Sequence, residues 1–206
     1  MQADSNTPLK AAIEYLRSIE CHLVSHSKRT LLDHLVSTHN LLRSWDASES
    51  VCLAGLLHSV YGTEGFHATL ASIPDRKIIV NVVGQKAEAL AWLFGIRTNQ
   101  SFWEQVRVLT RQPDVSTFTL VNRLTEQPVP CTRSELLHVI NIVLANAIDQ
   151  VQHIPEHFTE RHSGMFQQLL PFAMPEAAAA FTKMFAGRPA PGATRVQSQA
   201  AGKQSA

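Results

Sequence analysis

The fold is decided by His34-Leu-Val-Ser-Thr-His39 and, further along the chain, by Ala54-Gly-Leu-Leu-His58-Ser59. The spacing of the apolar residues around both stretches predicts two helices separated by a tight turn. Helices joined in this way run antiparallel, so we expect His58 to face His34. Two imidazoles that point inward from neighbouring helices form half of a metal site, because imidazole is a ligand for Zn, Fe, Mn or Cu.

The rest of the chain is also predicted to be mostly helical. The two helices above are expected over residues 28–45 and 47–60, the second opened by an Asp46-Ala-Ser-Glu49 capping box. Further helices are predicted over residues 7–20, 75–84, 85–94, 133–152, 160–170 and 176–186. Within residues 75–84, the β-branched run Ile78-Ile79-Val80 leaves a buried strand open as an alternative. The pattern over residues 115–131 predicts a small β-hairpin or an irregular excursion, so the fold class is all-α with a minor β insertion.

Length and composition restrict the remaining possibilities. The 206 residues predict one domain over residues 7–186, with disordered ends at 1–6 and 187–206. With 18 Lys+Arg against 17 Asp+Glu, the chain offers no charge pattern for nucleic acid, and its apolar runs are too short for a membrane helix. The first residues lack the features of a signal peptide, and three cysteines without a CxxC motif favour the cytoplasm. A small molecule is the expected partner, and no pattern fixes the oligomeric state.

A metal site on the two histidines also needs oxygen ligands, and the best donors lie late in the chain. The stretch Leu144-Ala-Asn146-Ala-Ile-Asp149 falls on the helix predicted over residues 133–152. Because Asn146 and Asp149 are three residues apart, they lie on nearly the same helix face. We therefore expect this helix to bring an amide and a carboxylate to the histidine pair.

These motifs together resemble the HD-domain metalloproteins, over residues 25–152. The apolar helix ending in Leu56-Leu-His58, the histidine on the preceding helix and the late Leu144-Ala-Asn146 match the order of the family's ligand segments. The similarity is closest to the guanosine tetraphosphate hydrolase branch, whose first-ligand segment resembles Ser-Lys-Arg-Thr-Leu-Leu-Asp-His at residues 27–34. The string Ala-Gly-Leu-Leu-His-Ser-Val-Tyr-Gly-Thr-Glu at residues 54–64 also resembles an uncharacterised HD-related family of small bacterial and fungal proteins. The resemblance implies an HD-domain-like helical bundle.

The resemblance implies a divalent metal, Mn, Fe or Zn, held by His34, His58 and Asn146. Ser59 stands where the family has the aspartate of its His-Asp motif. Asn146 stands where the family has its last metal-binding aspartate. Two anionic ligands are therefore neutral here. Asp149 is expected to return a carboxylate to the metal, and Glu64 to act as a general base or as a ligand, which makes both candidate catalytic residues.

Five more side chains near these motifs are candidates for substrate binding: Ser59, Tyr61, Thr63, His39 and Arg97. Structural roles stay open for them as well. Buried histidines are often bonded within a core, hydroxyls often satisfy helix ends, and a tyrosine ring often packs. For Arg97, the alternative to substrate binding is a solvated charge at the end of a helix.

Three functions are consistent with these residues. The first is a metal-dependent hydrolase or oxygenase that acts on a small metabolite. The second is a metal-free ligand-binding or regulatory module that keeps the two-histidine pocket, and the third is a purely structural helical domain. The lost carboxylates at positions 59 and 146 are the feature that separates the first function from the second. Two histidines that face one pocket are seldom kept for packing alone, so they favour the first function and oppose the third.

Overall fold

A computed structural model describes residues 7–72, 75–154 and 163–185. The ends expected to be disordered, residues 1–6 and 187–206, lie outside the described residues. The first part of the helix predicted over residues 160–170, together with residue 186 of the last predicted helix, also lies outside them.

The described residues are mostly helical and include two small antiparallel hairpins, which confirms the predicted class. The helices are α1 (Thr7–Ser18), α2 (Leu31–Ser44), α3 (Glu49–Leu57), α4 (Arg76–Val83), α5 (Gln85–Ile96), α6 (Asn99–Arg111), α7 (Arg133–His153), α8 (Ser163–Gln167) and α9 (Pro175–Phe185). The strands are β1 (Ser25–His26), β2 (Arg29–Thr30), β3 (Thr117–Val121) and β4 (Pro128–Thr132), paired β1 with β2 and β3 with β4. Single 3-10 turns lie at Cys21–Leu23 and Leu170–Phe172.

Helix α2 begins three residues later than predicted because a hairpin precedes it. Ser27 and Lys28 adopt positive φ angles of 49° and 65°, the backbone geometry of the tight turns that match the twist of paired strands. The helix then starts at Leu31 with a reciprocal capping box between Thr30 and Asp33. The hairpin carries β1 and β2 back against α2 and so brings residues 25–30 close to the histidines.

The turn between α2 and α3 differs from the predicted capping box. Asp46 has a φ of 58°, and its N–H donates to the Arg43 carbonyl while the N–H of Ala47 donates to the Leu42 carbonyl. These two bonds form a Schellman motif, so Asp46 ends α2 instead of starting α3. The prediction of an Asp46–Glu49 capping box is therefore wrong, and α3 starts after Ser48 without a side-chain cap.

The core forms where α3 and α7 are enclosed by their neighbours. Helix α3 packs against α2, α5 and α7, and α7 also contacts α9. Gly55 allows α2 to approach α3 closely, because a Cβ atom at this position would collide with Leu42. Helix α7 opens with a reciprocal capping box between Thr132 and Glu135 and crosses both histidine-bearing helices. This crossing places its middle turns beside the two histidines.

Two further segments complete the comparison with the sequence. Residues 75–84 form helix α4 and not a strand, and residues 115–131 contain the predicted hairpin. Helix α6 was not predicted, although Thr98 caps it through the N–H of Ser101 and its apolar residues Phe102, Val106 and Leu109 are buried at helical spacing.

Candidate functional site

His34 and His58 meet at the centre of the bundle. His34 is on α2, His58 directly follows α3, and their side chains are almost completely buried. The two Nε2 atoms are 3.2 Å apart, and the rings are nearly perpendicular, at 78°. The expected approach of the two imidazoles is therefore present.

The other nitrogen of each ring is held by a group that accepts a hydrogen bond. His58 Nδ1 lies 2.7 Å from the Gly55 carbonyl oxygen, and His34 Nδ1 lies 2.5 Å from Asp149 Oδ2. A carbonyl and a carboxylate oxygen can only accept, so both Nδ1 atoms carry the proton. The Nε2 atoms of the two rings then face each other, and a ring without a second proton carries its lone pair there.

Asp149 is fully buried and lies behind His34. It accepts hydrogen bonds from the guanidinium of Arg29 as well as from His34. Burial raises the pKa of Asp149, but hydrogen bonds from His34, Ser37 and Arg29 outweigh it and bring the pKa to about 2. Because Asp149 faces Nδ1, the structure does not place it as the metal-binding or water-activating carboxylate expected from the sequence. It is positioned to orient the His34 ring.

A third histidine, His26, lies against the pair and was not found from the sequence. Its ring centroid is 4.4 Å from that of His34, and its other side packs edge-on against Phe66. Burial, with smaller effects from His34 and Arg29, lowers the pKa of His26 to about 4. Burial lowers the pKa of His58 to about 3, so both rings are neutral near pH 7. The β1–β2 hairpin supplies both His26 and Arg29, and its turn sequence gave no recognisable hairpin signal.

Asn146 joins the pair from α7, as the sequence predicted. It forms a side-chain hydrogen bond with His58, and its Oδ1 accepts from Gln150 Nε2 at 3.1 Å. An amide oxygen has two lone pairs, so a metal ion bound by His58 would compete for the one that this ring contacts. Ser59, next to His58, is buried at the same place.

A cavity of about 530 Å³ opens beside His58. Such a volume is in the range of small-molecule sites. His58, Asn146 and four of the expected site residues line it: Ser59, Thr63, Glu64 and Arg97. Aromatic side chains form much of the remaining wall: Phe66, Phe94, Phe102, Trp103 and Phe166.

Two of the five residues expected to bind a substrate do not line the cavity. Tyr61 donates a hydrogen bond to Glu88 at 2.8 Å and packs edge-on against Trp92, so it belongs to a structural polar cluster on α5. His39 lies more than one turn beyond His34 and contacts the side chain of Asn40 at 3.1 Å. The interpretation of Tyr61 and His39 as substrate-binding residues is therefore replaced by structural roles.

Among the described residues that line the cavity, two are charged, Glu64 and Arg97, and their surroundings differ. Glu64 is exposed at the rim, where its Oε2 accepts a hydrogen bond from the first backbone N–H of α6, that of Asn99, at 2.5 Å. Arg97 is 7% exposed and lies between the rings of Phe94 and Phe102, with its central carbon 4.7 and 4.5 Å from the ring centroids.

The donor set was compared with the requirements of a metal ion. Two imidazole nitrogens that bind one tetrahedral ion at about 2.05 Å lie about 3.3 Å apart, close to the 3.2 Å between the two Nε2 atoms. Within the part of the chain that the structure describes, no group of three or more His, Cys, Asp or Glu side chains is placed to hold a metal. A third protein ligand would therefore be the Asn146 amide oxygen. The residues fit an ion with two nitrogen ligands, of which His58 lines the cavity and His34 lies behind it.

Comparison with known proteins gives one match. The model of a family described as Domain of unknown function (DUF6817) matches residues 15–98, which include α2, α3 and both histidines. No curated protein and no solved structure matches the chain. Among the described helices, none combines the length and apolar character needed to cross a membrane.

Proposed function

We propose that this chain is an HD-like, metal-dependent enzyme that acts on a small metabolite, with His34 and His58 as metal ligands. The observation that carries the proposal is the placement of two Nε2 atoms 3.2 Å apart while both Nδ1 atoms are held as donors. Without a proton between them, two Nε2 atoms at this distance are both acceptors and repel each other. A cation between them removes that conflict.

The surroundings of the histidines support a metal ion as that cation. Metal-binding histidines commonly donate their second N–H to a carboxylate or a backbone carbonyl, which fixes the ring and strengthens the ligand. Asp149 serves His34 in this way and the Gly55 carbonyl serves His58. The pattern is found on both rings, although the two acceptors come from different elements.

The open positions of such an ion would face the cavity, where a substrate and water could bind. When present, the metal supplies Lewis-acid activation of water or of a substrate oxygen, or the oxygen chemistry of a two-histidine iron site. Asn146 would complete the protein ligands, and Ser59 and Thr63 would contact the substrate. Glu64 at the rim would accept a proton, since the Asn99 N–H fixes one of its two carboxylate oxygens.

The alternative is a metal-free binding or regulatory module. It is favoured by the neutral residues Ser59 and Asn146 at positions where the resembled family has carboxylates. In that case one proton, shared between the two Nε2 atoms, takes the place of the metal. The three cysteines are buried and unpaired, which supports a reducing compartment such as the cytoplasm for either function.

A ligand screen with chemical analysis separates the two functions. The full chain is screened by thermal shift against small polar and phosphorylated metabolites, with and without Mn, Fe and Zn, and every hit is analysed by mass spectrometry. We expect at least one hit to be converted only when metal is present, and conversion to be lost in His58→Gln. His138→Gln, a half-buried histidine on α7 outside the cavity lining, is the matched control. Hits that stabilise the protein but are returned unchanged under all conditions would favour the binding module.

A further inference from the structure

The cavity contains a buried cation whose charge is not matched by an ion pair. Arg97 lines the cavity, is 7% exposed and forms no salt bridge in the part of the chain that the structure describes. A buried guanidinium without an anionic partner is costly, and such groups are normally paired. Burial lowers the pKa of Arg97 to about 10, so the side chain is still charged near pH 7.

Most donors of this guanidinium are unused. Nη1 donates to the Asn99 side chain at 3.0 Å, and this is the hydrogen bond that Arg97 makes within the described residues. Nε is buried without a partner. The rings of Phe94 and Phe102 cover the two faces of the guanidinium, so acceptors have to approach along its edges. An edge of this kind matches the two oxygens of a planar anion.

We propose that the cavity binds a carboxylate attached to a flat apolar group, with Arg97 as the residue that anchors the carboxylate. The inference rests on the proposed function for its small-molecule ligand but not on the metal. Arg97 and Glu64 are the charged side chains among the described lining residues, so the cavity supplies one positive charge with a negative charge nearby. One positive charge with a negative charge close to it favours a ligand with a single negative charge. A phosphate monoester carries close to two negative charges and is less favoured.

The remaining wall suits the apolar part of such a ligand. Phe66, Trp103 and Phe166 line the cavity together with the two rings that flank Arg97. Aromatic walls bind flat rings through stacking and edge-on contacts, in addition to the apolar area that they bury. An aromatic carboxylate therefore satisfies both the buried cation and the apolar lining.

Binding of three matched probes to chelator-treated full-length protein tests the proposal by calorimetry. Benzoate carries the carboxylate, benzamide has the same shape without charge, and phenyl phosphate carries the more highly charged group. We expect benzoate to bind about 10- to 100-fold more tightly than benzamide and more tightly than phenyl phosphate. Arg97→Met should remove the preference for benzoate over benzamide.

Glu64→Gln provides a test that does not alter a buried residue. Removing the negative charge near Arg97 should increase benzoate affinity about two- to fivefold relative to benzamide affinity. Equal binding of benzoate and benzamide by the wild type, or no gain for benzoate in Glu64→Gln, would overturn the anion site. Tighter binding of phenyl phosphate than of benzoate would overturn the choice of a monocarboxylate. Because the protein is free of metal in this assay, failure here leaves the metal proposal standing.

Discussion

Asp149→Asn is expected to lower metal affinity about 10- to 100-fold and to destabilise the fold by about 3 kcal/mol. The neutral amide leaves the guanidinium of Arg29, 17% exposed, without its carboxylate. The amide can donate as well as accept a hydrogen bond, so the proton of His34 no longer has to be on Nδ1. The ring is then free to present a protonated Nε2 toward His58, where it cannot bind a metal.

Metal titration and denaturant unfolding measure the two effects separately. Asp114→Asn, at an exposed position, is the control for the loss of one negative charge. The double variant Arg29→Met with Asp149→Leu removes both buried charges, so we expect it to recover much of the stability but not the metal affinity. Wild-type metal affinity in Asp149→Asn would show that the carboxylate does not orient a metal ligand.

Restoring two carboxylates with Ser59→Asp and Asn146→Asp is expected to raise divalent-metal affinity roughly 100-fold, because affinity depends on the number of charged ligands. Both positions are at the histidine pair: Ser59 follows His58 and is buried, and Asn146 is hydrogen-bonded to the His58 ring. Without metal, the same two charges are unpaired, one at the buried position 59 and one at the half-buried position 146, so the metal-free variant should be less stable than the wild type.

Calorimetric titration with Mn and Zn measures this gain. The control carries Asn40→Asp and Ser116→Asp, which add the same charge at exposed positions outside the cavity lining. An affinity no higher than that of the control would mean that the backbone around positions 59 and 146 does not support metal coordination.

The facing histidines could be predicted because few arrangements are open to two apolar helices joined by a short turn. The spacing of buried residues fixes the inner face of α2, and the turn then fixes the direction of α3. Asn146 was predicted for a similar reason, since a long capped helix with apolar residues on most sides has to cross the core. These inferences use the period and length of helices, which the sequence shows directly.

The groups that surround the pair could not be predicted because they depend on contacts between distant segments. Arg29 lies on a hairpin whose turn residues, Ser27 and Lys28, adopt positive φ without the usual Asn or Gly. Asp149 was expected beside the metal, but α7 places this carboxylate next to Nδ1 of His34. Tyr61 was expected to bind a substrate, yet its hydroxyl donates to the buried carboxylate of Glu88, and neither residue lines the cavity.

The metal content of protein purified without added metal tests the central claim most directly. Elemental analysis is made on the wild type, His34→Gln, His58→Gln and the control His138→Gln, each confirmed to be folded by circular dichroism. The account predicts about one equivalent of a divalent metal in the wild type and in the control, and none in the two site variants. A metal-free wild type that also binds no Mn, Fe or Zn on titration, or a His58→Gln variant that keeps the wild-type content, would contradict it.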